Sequence, residues 1–383
     1  MARFILPKDI FYGKGTMETL RSLRGERAIL ISGGLKKNSN LTDTAQAFLK
    51  QGGMSVRILN EMSSVTQAQR IKNGAKSMRE FRPDWIVVIG DGNAISAAKA
   101  MWILYEHAWM QLESLSTEES FPRLRQQARL AVLPTEFGMA AEASPQCIIQ
   151  DDSLQLHLPL RHYSLTPDVT VLDPLLMDGV SFAIATYSSL DALSYTFEAL
   201  LSESATIITD AYALRAATVL LHSLPLSFNG NKEAKENTYY AQFLGGVALA
   251  NTGGGLVDKL TFQILSALSQ YHLPRGCISA ILLPILIRER KAMQERLGGI
   301  LASLGIETKK ELIAENVAKL VENVNMAGGI PGSFSALGIR EKDYSDALLL
   351  LAKTISEESK MQNHHIDFDD AKRLLREAFA SSK

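Results

Sequence analysis

The distribution of apolar segments is the feature that most constrains the fold of this chain. This distribution changes abruptly near Pro174. Before that residue, short runs rich in Val, Ile and Leu alternate with stretches of helical spacing. The runs that we interpret as buried strands are 27–32, 55–59, 84–89, 130–133 and 169–172. Continuous apolar strands that alternate with helices are typical of a parallel sheet covered on both faces.

After Pro174 the pattern contains helical periods and no further strand signals. The predicted helices are 183–202, 206–223, 232–251, 256–271, 278–297, 309–327, 344–359 and 369–380. The predicted fold class is therefore α/β: an N-terminal parallel-sheet nucleotide-binding domain over 1–177, followed by an all-helical C-terminal domain over 178–383. The cleft between two such domains is the expected site for a small-molecule ligand.

Charge and cysteine content exclude several function classes. The 383 residues carry 40 Lys and Arg against 41 Asp and Glu. This balance argues against a nucleic-acid partner and against a polybasic membrane anchor. The two cysteines are too few for a disulfide framework or a Cys-rich zinc site. The longest apolar stretch, 277–287, is shorter than the ~20 residues of a spanning helix, and no targeting segment is recognisable, so we expect a cytoplasmic protein.

The turn Gly90–Asn93 is a candidate phosphate site, because it follows a predicted strand and precedes a predicted helix over 94–105. Glycines allow close backbone approach, and a helix N-terminus attracts anions. We therefore take Gly90, Gly92 and Asn93 as candidate cofactor residues. The alternative is an ordinary glycine turn with Asn93 as the helix cap. Asp91 would repel a phosphate unless it turned away.

The loop after the first strand is a second candidate cofactor site, with Gly33, Gly34 and Lys36 as its residues. It contains no carboxylate for a ribose hydroxyl, and Lys36 and Lys37 would suit a 2′-phosphate. This favours NADP slightly over NAD. The alternative is a helix-entry turn with solvated lysines.

One predicted helix carries side chains that could take part in catalysis or metal binding. Asp191 and Tyr195 are four residues apart and share a face, with Glu198 one turn further. This pair could hold a metal or polarise a carbonyl. The alternative is a buried Asp191 that is hydrogen-bonded to Tyr195. Among the seven histidines no two are four residues apart, and the adjacent pair 364–365 cannot face one site on a helix, so a dense histidine metal site is not predicted.

Several segments together carry a resemblance to a known family. They are Phe11–Thr16, Asp84–Lys99, Thr166–Pro174, Asp191–Ala199 and Leu273–Ala280. Over nearly its whole length the chain resembles the iron-containing (group III) alcohol dehydrogenases. The resemblance implies cofactor and metal in the cleft between the domains, hydride transfer between NAD(P) and small alcohols or aldehydes, and a homodimer.

The two cofactor loops depart from the family pattern. The family's Gly-Gly-Gly-Ser turn is replaced by the turn Gly90–Asn93, and Ser96 takes the place of an Asp, while Lys99 is kept. In the family's second cofactor loop only three residues are retained, and the small polar residues between them are not. The retained residues are Thr135, Gly138 and Glu142. Thr135 and Gly138 are the cofactor candidates of this loop.

The metal positions depart further. The resemblance implies one Asp and three His ligands, and Asp191 keeps the first of these. The three His positions are taken by Tyr195, Asp258 and Arg275, and Phe262 aligns with a further family His near the substrate. A guanidinium cannot coordinate a cation and repels it. We therefore predict that neither iron nor zinc binds in the family's manner.

Arg275 offers a substitute for the ion. Its charge would pair with Asp191 and with Asp258. This pairing would either hold the fold together or let Arg275 polarise a carbonyl for hydride transfer. The candidate catalytic residues are thus Arg275, Asp191 and Tyr195. A non-standard metal site made of Asp191, Asp258 and His272 is the alternative.

Two functions follow from these departures. The first is an NAD(P)-dependent oxidoreductase on a small alcohol or aldehyde that works without metal. The second is a catalytically inactive relative that serves as a binding, sensing or scaffolding subunit. The altered loops and metal positions favour the second function, whereas the family fold favours the first; fold alone does not establish activity.

Overall fold

The chain folds into two compact units, Met1–Ser181 and Phe182–Lys383. The computed structural model describes residues 3–33, 39–59, 67–112, 115, 121–136, 140–151, 156–289, 294–361 and 366–380. Within these ranges, no helix combines the length and the apolar character that crossing a membrane requires.

The N-terminal unit is built on a six-stranded sheet whose strands are all parallel. In chain order its elements are β1 (Asp9–Tyr12), β2 (Arg27–Ser32), α1 (Ser39–Gln51), β3 (Ser55–Leu59), α2 (Gln67–Phe81), β4 (Trp85–Gly90), α3 (Gly92–Glu106), β5 (Arg129–Pro134), β6 (Gln146–Asp151), β7 (Leu156–Arg161) and β8 (Val169–Leu172). The strand order is β1-β8-β5-β4-β2-β3, and β6 and β7 form a separate antiparallel hairpin. The predicted parallel sheet is confirmed, whereas β1 and the hairpin were not predicted.

Neighbouring residues of one strand are buried on opposite faces of the sheet. Ile29 and Ile86 pack with α2 and α3, whereas Leu30 and Val87 pack with α1. Because both faces are covered, every residue of β4 is buried. This explains why the central strands are continuous apolar runs rather than alternating ones.

One carboxylate joins two of the segments that carry the family resemblance. Asp173, just after β8, accepts hydrogen bonds from the backbone N–H groups of Gly15 and Met17, each at 3.1 Å. These bonds hold the turn that follows β1 against the end of β8, which is the strand beside it.

The described residues of the C-terminal unit form helices joined by loops and contain no strand. Its helices are α4 (Phe182–Leu200), α5 (Ile207–Phe228), α6 (Lys232–Thr252), α7 (Leu256–Ala267), α8 (Arg275–Glu289), α9 (Gln294–Ser303), α10 (Ile313–Ala327), α11 (Glu341–Met361) and α12 (Phe368–Phe379). Two expectations need correction. The helix predicted over 256–271 ends at Ala267, because the backbone at Leu268 leaves the helical region (φ −117°, ψ 31°). The single helix predicted over 278–297 is replaced by α8 and α9.

The sheet topology creates a crevice at one place in the N-terminal unit. Strand β2 lies between β3 and β4. The connection to β3 runs through α1 on one face, and α2 then covers the other face. In open parallel sheets such a reversal of strand order separates the carboxyl ends of two strands, and ligands bind there. The switch point of this sheet lies between the ends of β2 and β4.

Candidate functional site

A cavity of about 260 Å³ opens at this switch point. Its floor is the end of β2 and the turn from β4 into α3, and α2 forms one wall. The lining residues are Ile31, Ser32, Gly33, Leu59, Gln67, Arg70, Asn73, Gly74, Ser77, Asp91, Asn93, Ala94, Ala97 and Met101. Two predicted cofactor residues, Gly33 and Asn93, therefore line one cavity.

Gly90 allows the two strand ends to approach. A Cβ atom at Gly90 would lie 2.8 Å from the carbonyl oxygen of Gly33 and 2.8 Å from Cβ of Ala94. The N–H of Thr135 donates to the carbonyl of Gly90 at 3.0 Å. The predicted residues Gly33, Gly90 and Thr135 are thus neighbours at one edge of the sheet, and only glycine fits the middle position.

The N-terminus of α3 is capped by Asp91, not by Asn93 as one interpretation of the sequence had it. The Asp91 carboxylate accepts a hydrogen bond from the N–H of Ala94 at 2.8 Å, and Gly92 begins the helix. The carboxylate therefore turns toward the helix. It takes one of the backbone donors that would otherwise face a phosphate.

A second carboxylate makes this corner acidic. Burial, reinforced by the charge of Asp91, raises the pKa of Glu136 to about 7. A dinucleotide pyrophosphate at the start of α3 would have to compete with Asp91. A cofactor phosphate is better accommodated on the opposite wall of the cavity, where α2 contributes a guanidinium.

Three of the predicted cofactor residues, Gly34, Lys36 and Gly138, lie outside the described residues, as do Lys37 and the pair 364–365. Sequence reasoning missed the wall formed by α2. Its polar residues Arg70, Asn73 and Ser77 recur at intervals of three and four, which places them on one face, and that spacing was the available signal.

Lys99 holds the segment that follows Thr135. Its buried ammonium group donates to the carbonyl oxygens of Ala141, Ser144 and Gln146 at 2.6, 2.8 and 2.8 Å. Burial lowers the pKa of Lys99 to about 8. The lysine retained from the family pattern therefore acts as a structural anchor for this segment.

We expect Glu142 to make stability fall as the pH rises. Burial raises the pKa of Glu142 to about 7, against smaller opposing effects of a backbone hydrogen bond and of Lys99. The folded state binds the Glu142 proton more tightly than the unfolded state does. Protonation of Glu142 therefore stabilises the fold fully below about pH 4.5, and this stabilisation is lost as the pH rises from about 4.5 to about 7. A shift of this size corresponds to about 3 kcal/mol.

The measurement is urea unfolding of Glu142→Gln and the parent protein at pH 5 and pH 8. The parent should lose more unfolding free energy between these pH values than the variant. Glu80→Gln, at an exposed position on α2, is the matched control and should follow the parent. Equal pH dependence of the parent and Glu142→Gln would contradict the assignment.

In the C-terminal unit, the pairing expected for Arg275 is present. Nε of Arg275 donates to Oδ2 of Asp191 at 2.8 Å, and Nη2 of Arg275 donates to Oδ1 of Asp258. The Asp191 side chain is 4% exposed and that of Arg275 is 29% exposed. Burial opposes the charged form of Arg275, but the charges of Asp191 and Asp258 outweigh burial and raise its pKa above the ordinary value. The guanidinium is therefore a permanent cation.

Gly276 permits this pairing. A Cβ atom at Gly276 would lie 1.9 Å from the carbonyl oxygen of Tyr187, so α8 begins in direct backbone contact with α4. Tyr187 lies one turn before Asp191 on α4. The crossing therefore places Arg275, the first residue of α8, beside that carboxylate.

Glu198 contacts the backbone of Asp258. Its Oε1 accepts a hydrogen bond from the N–H of Asp258 at 2.9 Å. Gly255 makes room for it, since a Cβ atom there would lie 2.5 Å from the same oxygen. Burial, reinforced by the charge of Asp258, raises the pKa of Glu198 to about 8. Glu198 is therefore mostly neutral at pH 7.

The side chain of Tyr195 is hydrogen-bonded to the backbone. Its buried hydroxyl donates to the carbonyl oxygen of Gln242 at 2.9 Å. The alternative in which Asp191 relies on Tyr195 is replaced by a different arrangement, because the Asp191 carboxylate binds Arg275. Tyr195 lies on the same helix as Asp191, but its phenolic proton is used in packing α4 against α6.

The residues at these positions do not fit the family's divalent ion. A ferrous or zinc ion needs imidazole and carboxylate donors. Here a guanidinium binds both carboxylates, and a phenol replaces an imidazole. In the part of the chain that the structure describes, which includes Asp191, Asp258 and His272, no three His, Cys, Asp or Glu side chains are placed to hold a metal.

Comparisons with known proteins agree with this architecture. The family profile described as iron-containing alcohol dehydrogenase matches residues 7–174, and that of the Fe-containing alcohol dehydrogenase family, C-terminal, matches residues 185–379. The chain is 32% identical over 357 residues to the NADPH-dependent butanol dehydrogenase of Clostridium saccharobutylicum, covering 92% of this chain and 91% of that protein.

Solved structures show the same fold. The iron-containing alcohol dehydrogenase from Thermococcus thioreducens superposes with a TM-score of 0.88 at 24% identity, covering 99% of this chain and 100% of that chain. Sulfoacetaldehyde reductase from Bifidobacterium kashiwanohense, in complex with NAD⁺, superposes with a TM-score of 0.83 at 19% identity, covering 100% of both chains. The profiles, the identity and the fold together show that this chain belongs to the iron-containing alcohol dehydrogenase family.

Proposed function

We propose that this protein is an NAD(P)-dependent oxidoreductase of small alcohols or aldehydes that works without a divalent metal. The observation that carries the proposal is the placement of Arg275. It is bound by Asp191 and Asp258 and keeps 29% of its side chain exposed. By the resemblance, Arg275 takes a metal-ligand position of the family, so a permanent cation would stand in for the family's ion.

Arg275 has the properties that carbonyl reduction needs. When hydride adds to a carbonyl carbon, negative charge develops on the oxygen, and a preorganised donor stabilises that charge. Nε and Nη2 of Arg275 are used by the two carboxylates, whereas Nη1 meets no acceptor among the described residues. Nη1 therefore has N–H groups to offer to a substrate oxygen. Asp191 and Asp258 orient the guanidinium and keep it charged.

The cofactor and substrate class rest on separate support. The cavity at the switch point of the sheet is where nucleotides bind in open α/β folds. When bound there, a reduced nicotinamide dinucleotide would supply the hydride. The relative at 32% identity is by name an NADPH-dependent butanol dehydrogenase. A short-chain alcohol or aldehyde and NADPH are therefore the first compounds to try.

One observation favours a second candidate function, a non-catalytic binding or sensing protein. The Asp91 carboxylate caps α3 and Glu136 lies close to it, so the corner that receives a pyrophosphate in the family pattern is acidic. Such a site weakens dinucleotide binding through charge repulsion. A relative with this corner would keep the fold and lose turnover.

Cofactor binding and turnover decide between the two functions. We expect NADPH to bind, as measured by nicotinamide fluorescence or calorimetry, and butanal to be reduced at a rate that chelators do not change. Protein treated with EDTA and dialysed is the control for metal. No binding at millimolar cofactor would exclude the oxidoreductase. Binding without turnover on a panel of aldehydes and alcohols would favour the non-catalytic protein.

A further inference from the structure

We propose that Arg70 on α2 selects the phosphorylated form of the cofactor by binding the 2′-phosphate of NADP. The proposal rests on the proposed use of a nicotinamide dinucleotide and adds the residue that discriminates between its two forms. Its basis is the position of Arg70 in the switch-point cavity of the N-terminal unit.

The position of Arg70 follows from the packing of α2. Ile71, Ala75 and Met78 are buried against the sheet and α3. Gly74 permits close packing, since a Cβ atom there would lie 2.4 Å from Sδ of Met101 on α3. With the apolar face of α2 held in this way, Arg70, Asn73 and Ser77 are half-buried and line the cavity.

The charges of the cavity are divided between its two sides. Among the described lining residues Arg70 is the one cation and Asp91 the one anion. Asp91 is turned to the N-terminus of α3, where its carboxylate accepts from the N–H of Ala94. A phosphate dianion is therefore repelled from the α3 side and attracted to the α2 side.

The residues around Arg70 favour a phosphorylated ribose over an unphosphorylated one. An NAD-specific site offers a carboxylate to the ribose hydroxyls at the end of a strand that borders the crevice. At the β2 and β3 side of this cavity, the described lining residues Ser32, Gly33, Leu59 and Gln67 include no carboxylate. A guanidinium forms two parallel hydrogen bonds with phosphate oxygens, so the Arg70 side of the cavity suits a 2′-phosphate.

The test is the affinity of Arg70→Met for NADPH and NADH, measured by fluorescence titration. A charge-assisted hydrogen bond of ordinary strength predicts that NADPH binding weakens about 10- to 100-fold, whereas NADH binding changes less than about twofold. Lys76→Met is the matched control. It removes one charge from an exposed position on the same helix, outside the cavity lining, and should leave both affinities unchanged. Melting temperatures of both variants verify folding.

Small probes separate the 2′-phosphate from the pyrophosphate. Adenosine 2′,5′-bisphosphate should bind the parent protein more tightly than AMP, and Arg70→Met should remove that difference. Equal weakening of NADPH and NADH would place Arg70 on the pyrophosphate and overturn the proposal. Unchanged NADPH affinity in Arg70→Met, with normal binding by the parent, would overturn it while leaving the oxidoreductase proposal intact. If the parent binds no dinucleotide at all, both proposals fail.

Discussion

Replacing Arg275 with methionine is expected to destabilise the C-terminal helical unit and to abolish carbonyl reduction. The variant leaves Asp191, 4% exposed, without its cation. Breaking a buried ion pair costs about 3–5 kcal/mol. We expect about 3 kcal/mol here, because Asp258 is 34% exposed and water compensates part of its loss. Urea unfolding measures this change.

Three further variants separate the structural role of Arg275 from the catalytic one. Arg275→Lys keeps the charge but loses the two-pronged geometry, so turnover should fall more than stability. Asp191→Asn combined with Arg275→Met removes both charges and should regain part of the lost stability. Arg373→Met breaks an exposed pair with Glu289 and should cost less than about 1 kcal/mol.

The stability and turnover of these variants test the structural and the catalytic role of Arg275 separately. Unchanged stability of Arg275→Met would contradict the role of the cation in compensating the buried carboxylates. If Arg275→Met or Arg275→Lys kept full turnover, Arg275 would not be the group that polarises the carbonyl. Stable Arg275→Lys protein with kcat lowered at least about tenfold, and with little change in cofactor affinity, is the result that we expect.

Metal binding gives the second large effect. The parent protein should not bind Zn²⁺ or Co²⁺ at the family position, because Arg275 occupies both carboxylates and repels a cation. Tyr195→His combined with Arg275→His removes the positive charge and puts imidazoles at two of the positions where the resemblance implies family ligands. Two imidazoles and two carboxylates form a ligand set suited to either ion. We expect an affinity at least about 100-fold higher than that of the parent.

The readout is independent of activity. Calorimetry with Zn²⁺ and the visible absorption of bound Co²⁺ report binding and coordination directly. Tyr195→His alone retains the guanidinium and should behave like the parent, while the surface residue His222, changed to Ala in the double variant, should not affect its binding. One equivalent of Zn²⁺ held tightly by the parent and lost in Asp191→Asn would contradict the prediction. So would a double variant that folds but gains no affinity.

The central strands of the sheet were predicted well because they are covered on both faces. Strands β4 and β5 are covered on both faces, so each is an unbroken apolar run that is recognisable without a partner. Strand β1 was missed because it is only four residues long, too short to show a period. Strand β6 begins with alternating half-buried and buried residues, and its pairing with β7 depends on contacts that no single segment reveals.

For the candidate sites too, some features could be predicted from the sequence and others could not. The substitution of Arg275 for a metal ligand can be recognised in the sequence once the family pattern is known, and charge alone then predicts its pairing with Asp191. The hydrogen bond of Glu198 to the N–H of Asp258 joins residues 60 positions apart. The approach of α2 to the β4–α3 turn likewise brings Arg70 and Asp91 to one cavity, and no local pattern indicates it.

The sequence by itself determined the α/β and helical halves, the family, and the charge of Arg275, because periodicity, motif and charge are properties of the chain. Tertiary structure alone decided that Glu198 accepts from the N–H of Asp258, that Asp91 caps α3, and that Arg70 lines the switch-point cavity. These facts depend on close crossings of elements at Gly255, Gly90 and Gly74, where a Cβ atom would collide with a neighbouring residue. The position of a crossing follows from the packing of whole elements, and the neighbouring residues of one segment do not specify it.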